Sequence, residues 1–200
     1  MPAATRFGGD TDGATPLDDE QRKGLRPTWI TTRGDLNEAE AQNIGDGRMD
    51  WQRRRPPLGR LLTEQAVQNL HKDLFGQVWT WAGTYRQREL SIGIDPRQVR
   101  EQVRNLVADA AYWFAGPSQA VDEAAAGFHH RLVQIHPFPN GNGRHAREMT
   151  DLILISQDAP LFTWGGRDLD RRGSSRTRYI GALRAADNHD LQPLIAFVRT

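Results

Sequence analysis

The chain has 200 residues, of which 38% are hydrophobic, 26% are charged and none is cysteine, a balance that fits one soluble globular domain and excludes disulfides and thiolate metal sites. A net charge of +1 offers no general field for nucleic acid, so direct nucleic-acid binding is not expected. No apolar run reaches the length of a membrane helix and the N-terminus carries no secretion signal, so the expected setting is the cytoplasm, with no membrane partner.

Residues 1–26 are rich in Gly, Asp, Thr and Pro and read as a flexible N-terminal arm. Residues 27–59 read as an extension with one short helix, from a cap at Asp35 with Glu38 three residues on, to about Asn43, where Gly45 and Gly47 end it. The basic, Pro-containing stretch 48–60 then suits a surface connection. Ala66, Val67, Leu70 and Leu74 stand at helical spacing before Gly76. Leu90, Ile92 and Ile94 alternate, which predicts a strand or hairpin arm over 88–94. Asp95-Pro96-Arg97-Gln98 opens another helix, with the apolar stripe Val99, Val103, Leu106, Ala110 and Phe114. Further helices are expected up to His136, from about Gly143, over about 175–186, and after Asp190. The fold class is therefore mainly α, one helical bundle with a small β-hairpin.

Chemistry concentrates in residues 136–147. A helix ends at His136, because Pro137 cannot easily continue it. The loop that follows contains Gly141 and Gly143, which allow its amides to converge on an anion, and the next helix starts at the same place. Arg144 and Arg147 fall on one face of that helix. All the basic residues except Lys23 and Lys72 are arginine, so phosphate contacts would be made by guanidinium groups. Phe138 reads as a core anchor, His145 as solvent-facing, and His129 and His130 as ordinary helical histidines. A zinc site from His129, His130 and His136 matches no usual ligand spacing.

The string His136-Pro-Phe138-Pro-Asn140-Gly141-Asn142-Gly143-Arg144-His-Ala-Arg147 resembles the Fic/Doc signature His-x-Phe-x-(Asp/Glu/Asn)-Gly-Asn-Gly-Arg-x-x-Arg. Trp81-Ala-Gly-Thr-Tyr-Arg86 resembles the segment ahead of that family's target-positioning flap, and residues 178–190 resemble its closing helix. The resemblance covers about residues 60–200, which would form the catalytic domain. Pro27–Glu38 resembles the bacterial subgroup called mobile mystery protein B.

The resemblance implies a protein adenylyltransferase that moves AMP from ATP to a Tyr, Thr or Ser hydroxyl of a target protein. His136 would be the general base; Gly141, Asn142 and Gly143 would hold phosphates through their amides; Arg144 and Arg147 would stabilise the departing pyrophosphate. Asn140 would assist Mg²⁺ or Mn²⁺, more weakly than the acidic residue many members carry there. Leu90, Ser91 and Ile92 would form the target-positioning flap. Many members are restrained by a helix with Ser/Thr-x-x-x-Glu-(Gly/Asn), whose glutamate pairs with the second motif arginine. No match to that pattern is present, and Glu38 and Glu40 are the nearest candidates for pairing with Arg147. The subgroup implies a small helix–turn–helix, antitoxin-like partner, and the resemblance leaves room for a homo-oligomer. Two alternatives stand beside this reading: a different nucleotide or phosphodiester donor, and a catalytically silent nucleotide-binding module.

Overall fold

Thr32, three residues ahead of Asp35, begins the helix expected there. Its hydroxyl accepts from the Asp35 amide at 3.2 Å, while Asp35 Oδ2 accepts from the Thr32 amide at 2.9 Å, a reciprocal capping box. Asp35 is thus the third helical residue and not the cap that the sequence suggests. The computed structural model describes residues 22–116, 120–166, 169 and 173–200. The expected flexible arm falls mostly outside these, but its end is fixed: Leu25 bridges Trp79, and the Arg26 and Thr80 amides donate to the Val78 and Gly24 carbonyls, both at 2.8 Å.

Helix α1 runs over Arg33–Arg54, well past the stop expected at Gly45. The short α2 (Leu58–Leu61) and α3 (Glu64–Phe75) follow, the latter capped by the Thr63 hydroxyl on the Ala66 amide at 3.1 Å. Gly47 is where α1 crosses α3: a Cβ there would lie 2.8 Å from the Asp73 carbonyl oxygen. The absence of a side chain permits the close approach, and packing then outweighs glycine's poor helix propensity. Asn43 closes the crossing, donating to the Asp73 carbonyl and accepting from the Gln77 amide, each at 2.9 Å.

A 3₁₀ turn at Pro96–Gln98, capped by Asp95 as expected, leads into α4 (Val99–Ala115). Then come α5 (Val121–Ile135), α6 (Asn142–Ser156), α7 (Ser174–Asp187) and α8 (Gln192–Val198). Two groups of core residues fill the molecule. One joins Leu36, Ile44 and Trp51 of α1 to Leu70 and Leu74 of α3, Val103 of α4, Leu132 of α5 and Met149 of α6. The other packs Ala125 of α5 and Leu154 of α6 against Tyr179 of α7 and Phe197 of α8. Helices α5 and α6 serve both groups, so the fold is one mainly α domain built around the helix pair that carries residues 136–147.

The expected hairpin does not form: among the described residues, 88–94 make no strand pairing. The carbonyls at the two ends are taken up by a side chain instead. Arg86 donates from Nη1 to the Arg88 carbonyl at 3.0 Å and from Nη2 to the Ile94 carbonyl, which closes the stretch into a loop. Strand-like alternation describes side-chain spacing, and here an internal arginine outcompetes a second strand for the backbone groups.

Candidate active site

Residues 136–147 occupy the turn between α5 and α6. His136 caps α5 in the left-handed conformation (φ 53°, ψ 60°), its amide still bonded to the Leu132 carbonyl at 3.2 Å. This conformation turns the imidazole out of the helix's path. Arg86 holds the carbonyl ends of α5, donating from Nε to His136 O at 2.7 Å and from Nη2 to Ile135 O at 3.4 Å. A cation at a helix C-terminus also opposes the dipole there. The Arg86 amide adds a bond to the Pro137 carbonyl at 2.9 Å. Gly93 closes over the turn, where a Cβ would meet His136 Cβ at 2.7 Å and Arg86 Nη2 at 2.8 Å. The loop 87–94 is therefore rooted directly on the histidine.

Of the two imidazole nitrogens, Nδ1 is enclosed with no partner in hydrogen-bond geometry. Burial lowers the His136 pKa below the usual histidine value; the Val133 carbonyl opposes the shift and the Arg86 guanidinium adds to it. The ring is thus neutral near pH 7, able to accept a proton.

The loop is pinned from beneath. Phe138 is fully buried, as expected, and stacks on His71 at 3.7 Å between ring centroids. His71 Nδ1 accepts from the Gly83 amide at 3.0 Å, so its Nε2–H donates to the Asn140 carbonyl, also at 3.0 Å. Asn142 folds its side chain back, accepting from the Phe138 amide and donating to the Phe138 carbonyl, both at 2.8 Å. Gly141 lies left-handed (φ 77°) over the Phe75 ring, where a Cβ would fall 2.6 Å from a ring carbon. Only glycine meets both conditions.

Helix α6 starts at Asn142 with no side-chain cap, so its opening amides and positive dipole end are free of a competing side chain. Arg144 sits in that first turn and Arg147 one turn on, its Nη1 3.9 Å from the position of a Gly143 Cβ. His136, the bare start of α6 and Arg144 in its first turn thus lie within one short stretch of backbone, with Arg147 a turn further along. Not every assignment stands. The Gly141 amide is occupied by Asn140 Oδ1 at 2.7 Å, so the side chain read as a metal ligand covers an amide read as a phosphate ligand. The metal role remains chemically open, since an amide oxygen has a second lone pair, whereas the Gly141 N–H has its one hydrogen committed to Asn140.

Two other readings are corrected, those of His145 and Glu40. His145 does not face solvent: it is fully buried, with Nε2 2.9 Å from the Val67 carbonyl, because the motif side of α6 packs on α3. His129 is equally buried, its Nε2 2.7 Å from the Tyr179 hydroxyl, whereas His130 meets Asp187 at 2.8 Å on the outer side. Glu40 pairs with Arg144, not with Arg147, at 2.7 Å between Oε2 and Nη1; Glu38 is exposed. Leu90, Ser91 and Ile92 are exposed on the loop above His136, Ile92 at 60%. No cluster of three or more metal-binding side chains exists among the described residues.

The sequence reading passed over Arg86 and His71. Arg86 closes the segment quoted for its family resemblance, yet its bonds to residues 135 and 136 span about 50 positions, and no local pattern announces them.

Comparison with known proteins supplies context for this geometry. Residues 61–154 match the model of the Fic/DOC family. Over 120 residues the chain is 32% identical to a protein adenylyltransferase of Caenorhabditis briggsae, an alignment spanning 58% of this chain and 22% of that one. A probable protein adenylyltransferase of Sinorhizobium fredii is 28% identical over 138 residues, 65% of this chain and 68% of the relative. The chain thus spans less than a quarter of the nematode relative. Among solved structures, the BepC protein of Bartonella tribocorum with bound AMPPNP superposes with a TM-score of 0.63 at 17% identity, covering 89% of this chain and 95% of that one, a likeness of fold.

Proposed function

From the premise that this chain carries a Fic/DOC-family domain, we propose that it is a protein adenylyltransferase, moving AMP from ATP to a Tyr, Thr or Ser hydroxyl of a target protein. One observation carries the proposal: a histidine on a left-handed turn, its pKa lowered by burial, leads within six residues into an uncapped helix start with two arginines one turn apart. The acceptor hydroxyl gives its proton to His136 Nε2 as its oxygen attacks the α-phosphorus. The new P–O bond makes a phosphodiester with the target, the α–β anhydride bond breaks, and pyrophosphate leaves with its charge facing the helix start and Arg144 and Arg147. Holding both reactants in this turn removes much of the entropic barrier.

Asn140 Oδ1 is the oxygen this loop offers to Mg²⁺ or Mn²⁺ carried by the phosphates; the cation would supply charge neutralisation, and a neutral amide holds it less tightly than a carboxylate. Leu90, Ser91 and Ile92, exposed above the histidine, would receive an extended segment of the target. No described helix is long and apolar enough to cross a membrane. Cytoplasmic action and a small helix–turn–helix partner accompany this reading, the partner resting on the resemblance of residues 27–38.

The test is incubation with ATP, Mg²⁺ and cell extract, with label at the α- or γ-phosphate in parallel. Native protein should place α-label on extract proteins and no γ-label, and His136→Ala should lower the α-signal at least about 100-fold. γ-label on protein would identify phosphate transfer instead, α-label that survives His136→Ala would remove the histidine from its role, and nucleotide binding without transfer would favour the silent module.

A further inference from the structure

Glu40 is 7% exposed, and both its carboxylate oxygens are engaged: Oε1 accepts from Trp79 Nε1 and Oε2 from Arg144 Nη1, each at 2.7 Å. Arg144 also lies over the Phe75 ring, with Cζ 5.0 Å from the centroid, on the same ring that supports Gly141. Two surfaces therefore fix the guanidinium: an aromatic face below and a carboxylate beside it. We propose that Glu40 is a positioning residue for Arg144, holding the guanidinium at the glycine turn and staying in place when a polyphosphate binds there.

A carboxylate that blocks a site must be able to leave it. Glu40 stands on α1, and α1 is fastened along its length. Asn43 joins it to Asp73 and Gln77, Trp51 Nε1 donates to Asp73 Oδ2 at 2.8 Å, and Gly47 lies against the Asp73 backbone. Arg48 grips the buried Glu148 of α6 through two nitrogens, with Nε 2.8 Å from Oε2. Withdrawing Glu40 would also strand a buried carboxylate and the Trp79 indole without partners. Meanwhile Glu40 takes one guanidinium nitrogen and leaves Nε and Nη2 for phosphate oxygens. The pair gives up part of the arginine's field and gains a fixed orientation, which is what stabilising developing charge requires.

The proposal rests on the AMP-transfer reading only where activity is measured, so its main test does not use activity. In ¹⁵N-labelled protein, the Trp79 indole signal reports whether Glu40 stays, and the Arg144 Nε–H signal reports phosphate binding. Trp79→Phe and Arg144→Lys assign the two signals. On addition of inorganic tripolyphosphate, the Arg144 signal should shift while the Trp79 signal keeps its position. In the labelling reaction, Glu40→Gln, which keeps the volume and an acceptor for Trp79, should lower the rate about 10- to 100-fold. In an Arg144→Lys background the same change should have little further effect. A Trp79 signal that moves together with Arg144, an Arg144 signal that never moves, or a Glu40→Gln protein that labels faster than native would overturn the proposal. So would an equal loss in the Arg144→Lys background, since Glu40 would then act through the fold. If native protein transfers no label, the transferase reading fails while the spectra still decide the role of Glu40.

Discussion

His136 combines two properties that are each uncommon for a histidine: a left-handed backbone and a half-buried ring with one nitrogen enclosed. Because its pKa lies below the ordinary value of 6.5, the neutral form persists to lower pH than in a free imidazole. General-base activity should therefore fall only when acidity reaches the region under pH 6.5, and a profile of kcat/KM against pH should place its acid limb there. A limb at or above pH 7 would show that another group limits the reaction. This residue was legible in the sequence because the constraints on the motif are local: proline stops a helix, glycine accepts a positive φ, and the arginines fall one turn apart. Glu40 was visible as a candidate but not its partner, since the contact with Arg144 crosses 104 positions. His145 was misread for the same reason, its bond to Val67 reaching back 78 positions.

Helix α1 shows where propensity and packing diverge. Two glycines within three residues argue for a stop, and the helix continues because one of them is needed at a crossing. The two positions differ in environment: nothing lies within 4 Å of a Cβ at Gly45, whereas one at Gly47 would press on the Asp73 carbonyl at 2.8 Å. Gly45→Ala should accordingly stabilise the protein by about 0.5–1 kcal/mol, through improved helix propensity and a less flexible unfolded chain. Gly47→Ala should destabilise it by about 1–3 kcal/mol, because the helices must separate. Urea midpoints of the two variants would check both signs, and equal shifts would contradict the crossing. The loop 87–94 is the complementary case. Leu90 and Ile92 are exposed, but so is Ser91 between them, so the alternation sorts no two faces, and the Arg88 and Ile94 carbonyls are bonded by Arg86, which periodicity does not register.

At the scale of the whole molecule, acid sensitivity follows from three fully buried histidines, His71, His129 and His145. Burial holds His145 down to about 4 and His129 down to about 3, and His71 well below its usual value. The unfolded chain protonates all three near pH 6.5 while the folded one does not, so stability falls as pH drops from there toward 4. Asp151 acts in the opposite sense. Buried near Glu148 and bonded to the Trp164 indole, it is pushed up to about 7, so its contribution is present at low pH and lost as pH rises toward 7. Three groups outweigh one, and each unmatched proton contributes roughly 1.4 kcal/mol per pH unit. The urea midpoint should fall between pH 6.5 and 4.5, more steeply in Asp151→Asn; a flat profile would show that the histidines ionise without unfolding.

The two carboxylate–guanidinium contacts between α1 and α6, Glu40 with Arg144 and Arg48 with Glu148, lie partly outside the stretch that matches the family, which begins at residue 61. A fragment cut to that boundary would keep every motif residue and lose the neighbours that orient one of them. It would also bare the apolar side of α3 and leave Glu148 buried without its cation. For this chain, the limits of sequence similarity and the limits of the working pocket are different lines, and the second encloses more protein than the first.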